Sequence, residues 1–325
     1  MDTQNLKTVR KILKKHGKDT LSYFSLQEKR EYFFDKDREA FLSFRYIKKT
    51  AVVGADPIGP EDKIPKLIKD FVAEMKKKRI KTCFVGLSPE VLPLCKVLGL
   101  RSLKIGEEAI IDLSGFNLQS LKKRVRRTVH YSEGNNIKAF FYTPATLPEN
   151  VGRQIEEIKK DWLKTKKKEY GFSMALRRTP TEEDKECEFI VAKKGEEVVG
   201  YLSMLPAYRG SAMSLDSMRR RHDAPNGLME FLVIKAALEY KKRGYKRMSL
   251  NFVTFMNTRN EILPRTINRL QKILFKSLSR HFPIKSLYFF NAKFSPDWQS
   301  RYLVFPSKRS FPTVAYAVMK CEGFI

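Results

Sequence analysis

Along the chain the spacing of hydrophobic residues switches repeatedly between every third or fourth position and every second, and the fullest cycle spans residues 212–253. Residues 212–218 are apolar apart from Ser214, Asp216 and Ser217 and predict a strand; an aspartate is depleted from strands because its short side chain competes for backbone hydrogen bonds. Arg219, Arg220 and Arg221 lead into His222-Asp223-Ala224-Pro225-Asn226-Gly227, a turn cluster. Leu228, Phe231, Leu232 and Leu238 then step at helical spacing, with Lys241, Lys242 and Arg243 at the negative end of the dipole and Gly244 as the stop. A strand over 248–253, interrupted by Asn251, completes the unit.

The same alternation predicts the rest. A basic amphipathic helix opens the chain and ends near Gly17; residues 39–53 read as a strand or hairpin, 54–60 as a rigid turn, 66–78 as a helix and 82–87 as a buried strand. A short helix over 89–98, a strand over 108–113, a basic helix within 117–132 and a strand over 137–142 follow. Thr143-Pro144 through Pro148 marks a connector, giving expected subdomains at 1–143 and 144–325. Beyond it the pattern predicts a helix over 149–168, a hairpin over 189–205, a helix over 264–280, a strand over 287–294 and a tail. The expected fold class is α/β, with mixed sheets, helices on their faces and two similar halves.

Composition narrows the partners. Lys+Arg number 64 against 36 Asp+Glu, a formal charge of +28, which points to a polyanion such as RNA or an acidic membrane surface. The four cysteines and four histidines are dispersed, so neither a zinc site nor a disulfide framework is indicated, in keeping with a reducing cytosol. No stretch reaches the ~18 consecutive apolar residues of a spanning helix, and the expectation is peripheral membrane contact without a transmembrane span.

Strand, polar loop, helix N-terminus and return strand form an anion site, as in N-acetyltransferases of the GNAT type, but from Arg221 the loop reads HDAPNG and lacks their glycine-rich pyrophosphate pattern. GKDTLSYF near the start, GADPIGP at 54–60, KIGEEAIIDL at 104–113, DWL at 161–163, GFSMA at 171–175, SLDSMRR at 214–220, PNGLMEFL at 225–232, SLNFV at 249–253 and FNAKFSPDWQSRYL at 290–303 resemble the C-terminal catalytic domain of the lysylphosphatidylglycerol synthases, over about nine tenths of the chain. SLNFV and FNAKF lean toward the branch fused to a lysyl-tRNA synthetase. The resemblance implies tandem GNAT-like (acyltransferase) subdomains that bind lysyl-tRNA and transfer its lysine to a glycerol hydroxyl of phosphatidylglycerol at the inner face of the membrane. Lipid export would fall to a separate flippase.

An aminoacyl ester is already activated, so this transfer calls for no cofactor beyond the aminoacyl-tRNA co-substrate; it needs a base, oxyanion donors and carboxylates for the lysine ammonium groups. Asp216 is the first candidate, as base or as α-ammonium clamp, against a loop-shaping ion pair with Arg219. Arg219 suits a phosphate, against plain surface exposure. Glu230 stands where many family members carry Asp. Lys293, placed by strand alternation on the same side as Asn291, would offset carboxylate or phosphate charge. Asn226 is a candidate helix cap, Gly227 allows close backbone approach, and Asn251 is either a substrate contact or a buried structural amide. Arg301 and the pair Glu107 and Glu108 are further substrate-site candidates, one acid of the pair being expected to cap a strand edge. Trp298 and Tyr302 read as core. Lys122, Lys123, Arg124, Arg126 and Arg127, with Lys166, Lys167 and Lys168, form the expected tRNA or phosphate surface, against an ordinary solvated face. Two other classes stand beside this reading: a CoA-dependent N-acetyltransferase and a non-catalytic RNA- or membrane-binding protein. Transfer of alanine or arginine, or to another hydroxylated lipid, is also open.

Overall fold

The computed structural model describes residues 3–166, 171–172, 175–254 and 284–325. Its helices are α1 (Thr3–His16), α2 (Ile64–Lys77), α3 (Leu92–Val97), α4 (Lys123–Gly134), α5 (Glu149–Lys166), α6 (Leu228–Lys242), α7 (Ile284–Asn291) and α8 (Phe311–Glu322). The strands are β1 (Glu31–Phe34), β2 (Phe41–Ile47), β3 (Thr50–Gly54), β4 (Lys81–Leu87), β5 (Arg101–Asp112), β6 (Ile137–Tyr142), β7 (Glu188–Lys194), β8 (Glu197–Ala207), β9 (Ala212–Arg220), β10 (Arg247–Thr254) and β11 (Asp297–Phe305).

The eleven strands among the described residues form one mixed sheet in the order β1-β2-β3-β4-β11-β5-β10-β9-β8-β7-β6. The order repeats itself about its centre. Each half contains an antiparallel hairpin, β2-β3 or β8-β9, followed by a helical crossover to a parallel partner, β3-α2-β4 or β9-α6-β10. The strand after each crossover then leaves its own half: β5 pairs with β10, and β11 pairs with β4. The two exchanged strands also pair with each other. The expected division at 143/144 falls between β6 and α5, yet β6 is hydrogen-bonded along its length to β7, so pairing joins it to the second half.

Burial follows the apolar stripes. Leu67, Ile68, Phe71 and Met75 of α2 pack on the first half with Cys95 of α3. Phe231, Leu232, Ala236 and Tyr240 of α6, with Val125 and Val129 of α4, pack on one face of the second. The opposite face of the second half is covered by Val151, Ile155 and Ile158 of α5 and by Tyr23, Phe24 and Leu26, which follow α1. That covering segment is tied down by the buried Asp184 carboxylate, which accepts from Tyr23 Oη at 2.8 Å, Arg10 Nη1 at 3.1 Å and Arg178 Nη1 at 2.5 Å. Burial opposes its ionisation, but Arg178 and the Thr181 amide hold the carboxyl well below the usual range.

Two local expectations are revised. Residues 287–294 are not a strand: α7 runs to Asn291 and a 3-10 turn covers Ala292–Phe294. The run Leu287-Tyr288-Phe289-Phe290 has strand propensity, but Leu287 and Tyr288 are seated against Val253, and tertiary packing overrides propensity. The supposed tail contains the central strand β11 and helix α8. The helix expected over 264–280 lies outside the described residues.

Replacing Asp184 by Ala leaves the half-buried Arg178 guanidinium and the Tyr23 hydroxyl without their shared acceptor. Because Arg178 keeps some water, the cost should fall at or below the about 3–5 kcal/mol of breaking a fully buried pair. Urea unfolding monitored by circular dichroism should show that loss, with the melting midpoint lowered accordingly.

Candidate functional site

The parallel pairing of β9 with β10 ends at Ser214↔Ser249, and beyond that point the two strands diverge. Both carry a bulge there. On β9, Leu215 pairs with Met204 and Ser217 with Ser203, which makes Asp216 the extra residue. On β10, Ser249 pairs with Ile110 and Phe252 with Glu108, which leaves one extra residue over 250–251. A bulge re-aims a side chain and ends regular pairing. Asn251 adopts φ +70° and its Nδ2 donates to Leu215 O at 2.8 Å, across the gap between the strands. Its amide therefore pins the carbonyl next to Asp216. Asp216 Oδ1 accepts from Leu176 N at 2.7 Å.

Arg219 lies within β9, not in the loop, and is buried rather than surface-exposed. Its Nη1 donates to Tyr201 Oη at 2.9 Å, on the residue directly across the ladder, and its guanidinium sits 4.9 Å from the Trp162 ring centroid of α5. Burial raises the Tyr201 hydroxyl above its ordinary value against the pull of Arg219. Buried Ser203 and Ser214 lie on the same two strands, and neither hydroxyl has a hydrogen-bond partner among the described residues. An acid, a guanidinium, a phenol and two uncommitted hydroxyls thus share the region where the strands part.

The helix after this gap is capped differently from expectation. Gly227, at φ +87°, is the N-cap of α6 and no side chain caps it; Asn226 is exposed. A Cβ at Gly227 would stand 2.7 Å from Thr128 Cγ2 of α4, so glycine is needed both for its backbone angle and for the approach of α4. Within the loop, Arg220 Nη1 donates to Ala224 O and Pro225 O, each at 3.1 Å. Two loop carbonyls are thus held by the exposed Arg220 side chain. Glu230, in the first turn of α6, accepts from Lys293 Nζ at 2.6 Å. Lys293 reaches it from the 3-10 turn after α7, not from a strand.

Arg301 and Glu108 belong to a second, deeper cluster. Glu108 does not cap a strand edge; it lies inside β5 and is fully buried. Arg301, 2% exposed, donates from Nε to Glu108 Oε2 at 2.8 Å and from Nη2 to Asp19 Oδ1 at 2.5 Å. Although burial opposes it, Asp19 and Glu108 hold Arg301 firmly protonated. Thr20 Oγ1 and Ser249 Oγ both donate to Glu108 Oε1, and Asn251 N donates to Ser249 Oγ at 2.9 Å. One hydrogen-bonded band therefore crosses the sheet from Asp19 to the gap beside Asp216. Glu107, the other acid, accepts from Lys104 at 2.6 Å.

Asp19, Thr20, Asp56 and Ser249 were not among the expected site residues. All four stand inside the motifs GKDTLSYF, GADPIGP and SLNFV, where they read as turn and strand residues. Asp56 has a positional counterpart in Asp216: each lies two residues beyond the last parallel pair of its half, Gly54↔Val85 or Ser214↔Ser249. Asp56 Oδ1 accepts from Ser88 N at 2.9 Å; burial and the neighbouring Asp19 carboxylate push its carboxyl up to about 7.

The basic side chains expected on α4 are displayed: Lys122, Lys123, Arg124 and Arg127 are exposed, while Arg126 donates to Gln119 O at 3.0 Å. The side chain of Lys166, and Lys167 and Lys168 altogether, lie outside the described residues. Trp298 is half-buried and stacks on Tyr288 at 4.7 Å, and the half-buried Tyr302 packs against the core of the first half.

The sequence model of the family described as phosphatidylglycerol lysyltransferase, C-terminal, matches residues 10–305. The chain belongs to this family. Among its relatives, phosphatidylglycerol lysyltransferase of Bacillus subtilis is 26% identical over 318 residues, covering 96% of this chain and 36% of that protein. The lysylphosphatidylglycerol biosynthesis bifunctional protein LysX of Gordonia bronchialis is 30% identical over 335 residues, covering 100% of this chain and 29% of its own length. The chain thus spans about a third of the curated relatives it matches. The solved structure of L-PGS from Bacillus licheniformis superposes with a TM-score of 0.86 at 27% identity, covering 98% of this chain and 97% of that one. FemX shares the fold at a TM-score of 0.61 and 10% identity, with 97% and 98% covered.

Asp56 gives this family member a measurable pH dependence. An aspartate in an unfolded chain titrates near ~3.9, so between about pH 4 and about 7 the folded state retains a proton that the unfolded state has released. Its contribution to stability falls as pH rises through that window. Thermal melts from pH 5 to 8 should show a smaller decline for Asp56→Asn than for the unaltered chain.

Proposed function

We propose that this chain transfers lysine from lysyl-tRNA to a glycerol hydroxyl of phosphatidylglycerol at the inner membrane face, with no cofactor beyond the aminoacyl-tRNA. The observation that carries the reading is Asp216, an acid set by a bulge where β9 and β10 part, in the strand segment that also carries the buried Arg219. In this reading Asp216 is the base for the lipid hydroxyl or the clamp for the α-ammonium group, and Arg219 steadies phosphate or the developing oxyanion. Glu230 and Lys293 border the site as an ion pair, Gly227 keeps the backbone close, and the band of Glu108, Arg301 and Asn251 fixes the position of the gap.

The exposed basic face of α4, packed beside the N-cap of α6, supplies the tRNA contact, and phosphate neutralisation makes it salt-dependent. Both transferred bonds are esters, so positioning the two substrates supplies most of the rate and ATP is not consumed. The loop from Arg221, HDAPNG, lacks the glycine-rich pyrophosphate pattern, which speaks against acyl-CoA as the donor.

Radiolabelled lysyl-, alanyl- or arginyl-tRNA incubated with phosphatidylglycerol vesicles tests the proposal by transfer of label to the organic phase. Label from lysyl-tRNA should appear there without ATP and fade as salt rises. Asp216→Asn retains an acceptor for Leu176 N and should fold, yet lose about 10²–10⁴-fold in rate. Full activity of that variant, or label entering only from another tRNA, would overturn the base assignment or the choice of amino acid, respectively.

A further inference from the structure

The open end of the first half carries a second basic surface, separate from α4. Thr50 of β3 pairs with Lys81 of β4, so the exposed turn residues Lys48 and Lys49 lie at the start of both strands. Helix α2 ends there in the exposed run Lys76, Lys77, Lys78 and Arg79. The end of α3 brings Lys96, and the first residue of β5, Arg101, pairs with Phe305 at the end of β11, just before the exposed Lys308 and Arg309. Against these cations stand Glu31 and Glu74, and Glu74 is bonded to Lys78 at 2.6 Å.

This surface also has an apolar point. Val97, the last residue of α3, is 87% exposed, with Leu94 and Leu98 half-buried beside it. Tyr46 and Tyr316 stand at its margins, 37% and 40% exposed, and Lys48 Nζ lies 4.7 Å from the Tyr316 ring centroid. An exposed valine adds nothing to contact with a phosphodiester backbone, whereas it gains by leaving water among acyl chains, and tyrosine suits the headgroup boundary. No helix among the described residues is long and apolar enough to cross a membrane.

We infer that this end of the first half, centred on Val97 and ringed by Lys76, Lys77, Lys96 and Arg101, is the surface that seats the protein on an anionic bilayer. The inference rests on the reading that the acceptor is a bilayer phospholipid, and one further observation ties the two together. Thr254 of β10 pairs with Gly106 of β5, so β9 and β10 part in the direction of Arg101. The gap beside Asp216 therefore opens toward the same end as the basic surface. A lipid headgroup would reach it without leaving the bilayer interface.

The test uses the 325-residue chain, vesicles of phosphatidylglycerol with phosphatidylethanolamine, and vesicles of phosphatidylcholine. Co-sedimentation should detect binding to the first and little to the second. The combined Lys76→Glu, Lys77→Glu and Lys96→Glu variant should lose at least about tenfold in vesicle affinity, since each basic residue near an anionic surface contributes roughly fivefold. Val97→Asp, at an exposed site, should weaken binding while the circular dichroism spectrum stays unchanged. Filter binding of tRNA should be kept by both variants. Loss of tRNA binding with vesicle binding intact would identify the surface as an RNA contact and overturn the inference, as would variants that bind both partners like the parent. Transfer to detergent-dispersed phosphatidylglycerol separates the two levels: retained activity there with loss on vesicles supports docking. No transfer by the parent under either condition sinks the catalytic reading and leaves the sedimentation result to stand alone.

Discussion

Burying the Arg301 guanidinium is the constraint from which the arrangement follows. A lone buried cation is expensive, and here it is met by Glu108 from β5 and Asp19 from the segment after α1. These groups come together only because β5 and β11 exchange halves, which sets Glu108 beside β10 and Arg301 between β4 and β5. Thr20 and Ser249 then complete the hydrogen bonding of Glu108, and Ser249 in turn receives the Asn251 amide. The position of the bulged strands is thus tied to an ion pair in the middle of the sheet.

The repeat about the sheet centre also gives the acids a common logic. Asp56 and Asp216 occupy corresponding places where a parallel pair comes apart, yet their surroundings differ. Asp56 lies near a second carboxylate and keeps its proton up to about 7, while Asp216 lies in the strand segment of Arg219, which Tyr201 faces from β8. The duplicated geometry thus carries divergent electrostatics in its two halves.

Local pattern made the segment 212–253 legible, because its strand, helix and return strand are each long enough to show a period, and an aspartate amid apolar residues marks itself. The bulges were hidden, since an extra residue shows only against the neighbouring strand. Glu108 and Arg301 looked minor for the same reason: they are 193 residues apart, and nothing near either announces the other. Asp19 and Asp56 sit among Gly and Pro and look like turn residues. At Lys293 the aromatic run mimicked a strand, and only packing against Val253 shows it to lead out of a helix.

The exchange of β5 and β11 has a kinetic consequence. As the polypeptide leaves the ribosome, β4 and β5 are complete long before residues 297–305 exist to fill the space between them. The leading half must wait with two unsatisfied strand edges, exposed to wrong pairing, until synthesis has passed Phe305. Closure of this sheet consequently depends on long-range pairing that only the nearly complete chain can make.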